Sequence, residues 1–401
     1  MRRKIVLLGA TGSIGRQCLD ILKYSFDYEL VGVSLNGRFE NLEPYLFYFD
    51  SLRYVAIRDA DRARLFKERH PSYEVLSGED CNVLLVQACK EADVFNALMG
   101  NAGLAPTLEA IEEGRDLFLS NKESIVIGSS LLEKALARSK SQVYPVDSEH
   151  VALAKLLDQA KELDIPEKDI ETLYVTASGG ALRDLKKEEL ASVTPDKVLS
   201  HPTWNMGSKI TVDSATMVNK GFEKIEAAFL FHFPLEKVKA IICRESLVHA
   251  LLAYTKEGRK EYLYEYSPCD MKVAIAYALS KGTLKAHRNN AEDEKAVHAL
   301  SFSQIDPDFY PLFDLTVKTY RDYGNVGMIL YNYVDTYAID AFLKGEIGFL
   351  DIQEALKRVY DVLADVREEL AIGRLAEIES RLSDRAKEIV EEIVDRKRRK
   401  P

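Results

Sequence analysis

The chain carries the sequence IVLLGATGSIG at residues 5–15. Its first four residues are aliphatic, as in a buried strand, and apolar side chains at helical spacing follow at Cys18, Ile21 and Leu22. Glycines between a strand and a helix allow a tight turn and let a pyrophosphate approach the backbone N–H groups at the helix start. The stretch therefore predicts a dinucleotide-binding turn. A glycine-rich pattern alone has low specificity, but the strand before it and the helix after it strengthen the prediction.

The residues around this turn repeat the same alternation of strand and helix. Short β-rich runs separated by helical patterns are typical of a doubly wound parallel sheet. The predicted strands are Ile5–Leu8, Leu30–Ser34, Val55–Ile57, Val94–Leu98, Asp116–Leu119 and Val143–Val146. Residues 1–147 are therefore predicted to form a Rossmann-like NADP-binding domain.

The remainder of the chain changes in texture twice. Residues 148–285 combine a helix, further strands near 173–176, 238–242 and 248–254, and the polar motifs described below, so they predict a central α/β catalytic domain. Residues 286–308 are polar with little periodicity and are interpreted as a connecting arm, and residues 309–401 predict a helical C-terminal domain. The fold class is α/β.

Composition excludes several functional classes. The chain has 401 residues, 47% hydrophobic residues and a net charge of −10, so no basic field indicates nucleic acid or an anionic membrane as a partner. The N-terminal apolar run is too short for a signal peptide or a membrane span, which predicts a cytoplasmic protein. Five scattered cysteines without a C-x-x-C pair predict reduced thiols, not a disulfide framework or a zinc site.

The end of the second predicted strand bears on the cofactor. NAD enzymes usually place an acidic residue there to hold the ribose hydroxyls, whereas this chain reads SLNGR at residues 34–38. The hydroxyl of Ser34, the amide of Asn36 and the guanidinium of Arg38 would suit a 2′-phosphate, so NADP is favoured. Glu40 is close enough in sequence to keep NAD open.

Two carboxylates follow the last strand of the first domain, in YPVDSEH at residues 144–150. If the segment is extended, Asp147 and Glu149 point to one side because side chains alternate, and two hard carboxylates suit Mg²⁺ or Mn²⁺. The alternative is a helix start with an acidic first turn.

Two further polar turns also follow predicted strands. The segment NKES at 121–124 occupies the strand end where α/β sheets bind ligands, although it could equally be a turn. The segment SGG at 178–180 is a candidate anion nest, or merely a tight turn.

The densest motif is HPTWNMGSKITVDSATMVNKGFEKIEA at residues 201–227. Asp213 and Ser214 are good helix N-cap types and predict the start of an amphipathic helix, with Asn219, Lys220 and Glu223 on one polar face. An amide, a cation and a carboxylate near a helix start suit a phosphate beside a metal. The alternative is a solvated face with a surface ion pair between Lys220 and Glu223.

Together these motifs resemble one family over essentially the whole chain, the 1-deoxy-D-xylulose 5-phosphate reductoisomerases of the methylerythritol phosphate route to isoprenoids. The resemblance rests on residues 9–15, 121–124, 145–150, 176–183 and 201–227. It implies metal ligation by Asp147, Glu149 and Glu223, with Lys122 as a further catalytic residue. The implied substrate contacts are Ser148, Glu149, Ser178, His201, Trp204, Ser214, Asn219, Lys220 and Glu223. The implied NADP(H) contacts are Thr11, Gly12, Ser13, Ile14, Asn36, Gly37, Arg38, Asn121, Glu123 and Gly207.

The resemblance also implies a reaction. A metal ion, Mg²⁺ or Mn²⁺ with Co²⁺ as a further candidate, would act as Lewis acid while the sugar phosphate undergoes cleavage and recombination of its carbon chain, and NADPH would then reduce the branched aldehyde to 2-C-methyl-D-erythritol 4-phosphate. It further implies a homodimer, a flap over residues 201–208 that includes Trp204 and Met206, and an active-site role for His249. The rival interpretation is a simple NADP-linked sugar-phosphate dehydrogenase, which would need no metal.

Overall fold

The structure is a computed structural model, and it describes residues 2–204, 206–284, 299–364 and 369–399. The described residues form two compact units. The first comprises residues up to 147 together with 270–284, and the second comprises residues 148–269 and the described part of 285–401. Residues 286–298 of the predicted connecting arm and Asn205 of the predicted flap lie outside the described residues.

Twelve β-strands and thirteen α-helices occur among the described residues. The strands are β1 (Arg3–Leu8), β2 (Tyr28–Leu35), β3 (Tyr54–Ile57), β4 (Glu74–Ser77), β5 (Asp93–Asn96), β6 (Leu117–Leu119), β7 (Val143–Pro145), β8 (Ile170–Ala177), β9 (Val238–Cys243), β10 (Val248–Lys256), β11 (Arg259–Tyr266) and β12 (Phe302–Ser303). The helices are α1 (Ser13–Leu22), α2 (Ala60–Arg69), α3 (Cys81–Ala88), α4 (Leu104–Glu112), α5 (Lys122–Leu136), α6 (Ser148–Glu162), α7 (Pro195–Leu199), α8 (Ser208–Thr216), α9 (Val218–Leu230), α10 (Met271–Leu279), α11 (Pro311–Leu343), α12 (Phe349–Leu363) and α13 (Leu375–Arg398).

The first unit is built on a parallel sheet of seven strands in the order β4-β3-β2-β1-β5-β6-β7. The predicted doubly wound sheet is therefore confirmed. Ile5, Val6, Leu7 and Leu8 of β1 are fully buried because this strand lies inside the sheet with both faces covered. The strand order reverses between β1 and β5, and the carboxyl ends of strands at such a switch point form the ligand crevice of this fold class.

Helix α10 belongs to the first unit, although its sequence lies within the predicted 148–285 domain. Its residues Ile275, Ala278 and Leu279 are part of the same hydrophobic cluster as Tyr28 of β2. The hydroxyl of Tyr28 donates to the carbonyl oxygen of Leu279 at 3.0 Å. The chain thus returns to the first unit after β11, which apolar periodicity could not indicate.

The second unit contains a five-stranded mixed sheet in the order β11-β10-β8-β9-β12. Only the pairing of β8 with β9 is parallel, and the other pairings are antiparallel. Leu153 and Leu156 of α6 are fully buried and belong to one core with Leu173 and Val175 of β8. The C-terminal part of the unit is helical, as predicted. Among the described residues, no helix combines the length and apolar character needed to cross a membrane.

The helical segment that follows residue 207 differs from the prediction. Asp213 and Ser214 do not start a helix; they lie within α8, which begins at Ser208. The helix extends earlier because Thr211 and Val212 pack inside the unit, and because the Asp213 carboxylate binds the Lys209 ammonium at 2.8 Å, so it is not a cap. Met217, with φ of 65°, ends α8 and precedes α9.

Candidate active site

The glycine-rich turn joins β1 to α1 through tight backbone contacts. Gly9 has φ of +80°, and a Cβ atom placed on it would lie 2.5 Å from the carbonyl oxygen of Ala97. A Cβ atom on Gly15 would lie 2.2 Å from the carbonyl oxygen of Gly9. Helix α1 has no side-chain cap and no acidic residue in its first turn, so its N-terminal N–H groups can meet a diphosphate. The turn fits a dinucleotide at the position that the sequence predicts.

The loop after β2 corrects one predicted contact. Ser34 is buried and its Oγ accepts the N–H of Gly9 at 3.1 Å, so its hydroxyl supports the glycine turn and is not available to a 2′-phosphate. Asn36 and Arg38 are exposed. Glu40, which kept NAD open, forms an ion pair with Arg62.

Asn121 and Glu123 organise the loop that follows β5. The Asn121 Oδ1 atom caps α5 by accepting the Ser124 N–H at 3.1 Å, and its Nδ2 donates to the carbonyl oxygens of Leu98 and Gly100 at 3.1 Å each. The Glu123 Oε1 atom accepts the Gly100 N–H at 3.1 Å. Both side chains thus occupy the carboxyl edge of the parallel sheet, where cofactor contacts were predicted.

Lys122 and Asp147 form an ion pair in the first unit. The Lys122 Nζ lies 2.5 Å from the Asp147 Oδ2, and both side chains are largely buried. The two residues follow β6 and β7, which are adjacent parallel strands, so their side chains meet at one edge of the sheet. The Lys122 ammonium therefore neutralises the charge of the Asp147 carboxylate.

Glu149 is in the first turn of α6 and not on a strand. Of the two interpretations of this segment, the extended one, in which side-chain alternation would place Asp147 and Glu149 on one side, does not apply, because β7 ends at Pro145 and a helix begins at Ser148. The alternative of a helix with an acidic first turn describes the local structure. The Ser148 Oγ donates to the Glu149 Oε2 at 2.6 Å.

A cluster of buried charges links α6 to α9 in the second unit. The Lys220 Nζ lies 2.8 Å from the Glu149 Oε1 and also forms an ion pair with Glu223, while the Asn219 Nδ2 donates to the other oxygen of Glu223. Lys220 is 4% exposed and Glu223 1%, so the alternative of a solvated surface pair is wrong. Burial opposes the charge on Lys220, but the two carboxylates outweigh it and raise the pKa of the ammonium above its usual range. Glu149 and Glu223 each offer a carboxylate oxygen, and these lie within 4.8 Å of one another.

A second polar group lies at the end of β8. The His201 Nε2 lies 3.1 Å from the Ser178 Oγ and 3.4 Å from the Ser214 Oγ, so the structure brings together three predicted substrate contacts. The His201 Nδ1 accepts the Trp204 N–H at 3.0 Å, which leaves the ring proton on Nε2 and makes that nitrogen the donor toward the serines. Burial, aided by the charge of Arg183, lowers the pKa of His201 to about 4.

Trp204 is half-buried and does not belong to the core, with its ring centroid 5.8 Å from that of His249. The described residues of the predicted flap are irregular up to Gly207. Gly207 has φ of −63°, which any residue adopts, and it precedes α8. The flap itself remains a prediction.

Sequence reasoning missed two groups of ionisable side chains that are largely buried. His150 and Glu226, both fully buried, approach at 3.5 Å, and the His150 Nε2 lies 3.0 Å from the carbonyl oxygen of Glu223. The spacing of Lys209 and Asp213 by four residues could have signalled their ion pair. Asp335, whose Oδ2 lies 2.6 Å from the Lys209 Nζ, is too distant in sequence for any pattern to link it to them.

Three family models match the chain in succession. They describe 1-deoxy-D-xylulose 5-phosphate reductoisomerase over residues 5–129, its C-terminal domain over 143–231, and the DXP reductoisomerase C-terminal domain over 266–397. A protein of that name from Thermodesulfovibrio yellowstonii is 34% identical over 90% of this chain and 92% of its own length. One from Geobacillus kaustophilus is 37% identical over 89% of this chain and 92% of its own length.

Solved structures agree with the sequence relatives. A crystal structure of DOX-P reductoisomerase in complex with NADPH, fosmidomycin and magnesium has a TM-score of 0.86 and 28% identity, covering 97% of this chain and 98% of that one. The reductoisomerase from Zymomonas mobilis in complex with NADPH has a TM-score of 0.82 and 29% identity, covering 98% of this chain and all of that one.

The parallel sheet, its glycine turn and the separate carboxylate cluster define a dinucleotide-dependent oxidoreductase with a second, polar unit. Within that class, the two sequence relatives carry the same name and match about nine-tenths of this chain. The chain belongs to the family of 1-deoxy-D-xylulose 5-phosphate reductoisomerases.

Proposed function

We propose that this chain performs the reaction of its family, the NADPH- and divalent-metal-dependent conversion of 1-deoxy-D-xylulose 5-phosphate to 2-C-methyl-D-erythritol 4-phosphate, through the residues named above. The observation that carries the proposal is the buried cluster of Glu149, Lys220 and Glu223. Buried carboxylates are costly unless they are paired or bind a cation, and such clusters of buried ionisable groups occur mainly at functional sites.

Asp147, Glu149 and Glu223 are the proposed metal ligands. Carboxylate oxygens are the ligands that Mg²⁺ and Mn²⁺ prefer, and the approach of Glu149 and Glu223 within 4.8 Å supports a shared ion. In the sequence, only Ser148 separates Asp147 from Glu149. When bound, the ion supplies Lewis-acid polarisation of the substrate oxygens. His150 holds the backbone of Glu223 through its ring nitrogen, which fixes the direction of that ligand.

The substrate phosphate is proposed to lie among Ser178, His201 and Ser214, with Asn219 and Lys220 as further contacts. Two hydroxyls and a neutral Nε2–H donor converge there, and these groups bind a phosphate without adding a titrating charge near neutral pH. The phosphate is remote from the reacting carbons, so its binding energy can hold the substrate in a reactive orientation.

NADPH is proposed to bind at the glycine turn of the first unit. The backbone N–H groups of Thr11, Ser13 and Ile14 are proposed to meet the diphosphate, and Gly12, whose N–H donates to the carbonyl oxygen of Gly9 at 3.1 Å, is proposed to lie against it. Arg38 is exposed just after β2, where a 2′-phosphate is held in this fold class. The bound cofactor supplies the hydride, and the protein supplies its orientation. Asn121, Glu123 and Gly207 remain proposed contacts, and the homodimer and cytoplasmic location remain predictions.

The test is NADPH oxidation with 1-deoxy-D-xylulose 5-phosphate, with and without a chelator. The proposal expects turnover that chelation abolishes and Mg²⁺ or Mn²⁺ restores. The matched variants Glu149→Gln and Glu223→Gln, which keep the side-chain shape, should lose turnover while the fold is kept. Full activity in a metal-free preparation would favour the simple dehydrogenase and contradict the proposal.

A further inference from the structure

A second guanidinium lies against the loop that follows β2. Arg62, in the first turn of α2, donates from its Nε to the carbonyl oxygen of Gly37 at 3.1 Å. Its guanidinium lies 4.5 Å from the ring centroid of Phe39, and it forms an ion pair with Glu40. Three contacts therefore hold this cation at the loop that carries Arg38, and a third of the Arg62 side chain stays exposed.

Two carboxylates flank the same loop, and both are already engaged. Glu40 pairs with Arg62, and this hydrogen bond lowers the pKa of the Glu40 carboxyl. Asp59 caps α2, its Oδ1 accepting the N–H groups of Asp61 and Arg62 at 3.0 Å each. An acidic group at this strand end selects the free ribose hydroxyls of NAD, whereas an arginine accommodates a 2′-phosphate. The pairing of Glu40 therefore changes which of the two cofactors the loop favours.

The other arginines of this region have other ion-pair partners. Arg58 pairs with Glu79, Arg64 pairs with Asp61 at 3.4 Å on the exposed side of α2, and Arg69 pairs with Glu43 at 3.6 Å while its guanidinium lies 5.3 Å from the ring centroid of Phe39. Arg62 is distinct from these three because it bonds to the backbone of the cofactor loop itself.

We propose that Arg62 is a specificity-determining residue for the cofactor: together with Arg38 it binds the 2′-phosphate, and through its ion pair it neutralises the Glu40 carboxylate, which would otherwise repel that phosphate. The inference rests on the proposed use of NADPH, but on no part of the metal or sugar-phosphate site.

The test measures binding of two nucleotides that differ by the 2′-phosphate alone. Isothermal titration calorimetry of the full chain with adenosine 2′,5′-bisphosphate and with 5′-AMP isolates that group without turnover. Arg62→Gln should weaken binding of the bisphosphate about ten-fold or more, since charge-assisted hydrogen bonds are lost and Glu40 is uncovered, and should leave 5′-AMP binding unchanged. Arg64→Gln, on the same helix, is the matched control and should alter neither affinity.

Removing the acid should act in the opposite direction. Glu40→Gln in the Arg62→Gln background should recover part of the lost affinity for the bisphosphate. An equal loss for both nucleotides in Arg62→Gln would assign Arg62 to loop structure and overturn the inference, as would no loss at all. If thermal unfolding shows that Arg62→Gln is not folded, Arg62→Met replaces it, because methionine removes the charge and keeps an apolar side chain against Phe39, and an unchanged bisphosphate-to-AMP ratio in that variant overturns the inference equally.

The same titrations separate this inference from the proposed function. Preference of the wild-type chain for the bisphosphate, unaltered in Arg62→Gln, would reject the role of Arg62 and leave NADPH use intact. Absence of preference in the wild-type chain would reject NADPH selection as a whole.

Discussion

Replacing Lys220 by Met should destabilise the metal-free protein strongly, because the ammonium is the buried partner of two carboxylates. Methionine keeps the length and apolar stem of lysine but leaves Glu149 and Glu223 without their shared cation. Removal of one partner from a buried ion pair costs about 3–5 kcal/mol. For a unit of this size that loss corresponds to a fall of roughly 6–20 °C in Tm.

The pH window of this effect follows from the raised pKa of Lys220. The ammonium contributes its full stability below the usual lysine pKa of 10.5 and loses it only as the pH rises through the higher folded value. Thermal unfolding at pH 8 in the presence of a chelator therefore measures the whole effect. Lys224→Met, on the same helix but half-buried, is the control and should cost no more than about 1 kcal/mol.

Magnesium should then rescue the variant more than the wild type. A divalent ion meets two uncompensated carboxylates in Lys220→Met, whereas in the wild type it competes with the ammonium. An ion at 100 times its Kd stabilises a folded protein by about 2.7 kcal/mol. If Lys220→Met lost no more than about 1 kcal/mol of stability beyond Lys224→Met, or if Mg²⁺ raised the Tm of wild type and Lys220→Met equally, Lys220 would not be the buried counter-ion of Glu149 and Glu223.

Three further outcomes are expected. The pKa of His201 is lowered to about 4, so NMR should show a neutral ring from pH 8 to 5. Because the unfolded chain binds this proton at a higher pH than the folded one, the folded state should lose stability as the pH falls from about 6.5 toward 4, and an NMR titration midpoint near 6.5 would show that the ring is solvated. Trp204, the sole tryptophan, should change its emission and become less accessible to acrylamide when NADPH and a substrate-like phosphonate bind, and an unaltered spectrum would assign it to a static position. Gly15→Ala should destabilise the first unit by about 1–3 kcal/mol and abolish NADPH binding, because the added Cβ atom would lie 2.2 Å from the carbonyl oxygen of Gly9. Gly207→Ala is the control and should not alter stability, because no heavy atom lies within 4 Å of its Cβ position.

The sequence predictions that the structure confirmed rested on apolar periodicity and on motifs of adjacent residues. The aliphatic run of β1 and the glycine turn identify a doubly wound sheet, since strand burial and turn geometry depend on adjacent residues. β4 was missed because it has only four residues and none is fully buried. The start of α8 was misplaced because Asp213 has the chemistry of a helix cap, while its side chain is used by Lys209.

The sequence could not predict those contacts of the candidate site that join residues far apart in the chain. The sequence suggested that Asn219, Lys220 and Glu223 share a helix face, and the structure adds Glu149, 71 residues away, as the second partner of Lys220. The burial that turns this group from a surface pair into a charged cluster depends on how α6 packs against α9, which no local pattern encodes. The same holds for the ion pair of Arg62 with Glu40, which joins α2 to the loop after β2.

The reductoisomerase reaction is distinguished from simple reduction by the proton NMR spectrum of the product formed from 1-deoxy-D-xylulose 5-phosphate and NADPH in the presence of Mg²⁺. Simple reduction of the ketone would give an unbranched sugar-alcohol phosphate of the same mass, so mass alone does not distinguish the two. We expect a methyl singlet, because the methyl group of 2-C-methyl-D-erythritol 4-phosphate is bonded to a carbon that bears no hydrogen. A methyl doublet, from a methyl group next to a CH–OH carbon, would show that the carbon skeleton is not rearranged and would identify a simple dehydrogenase.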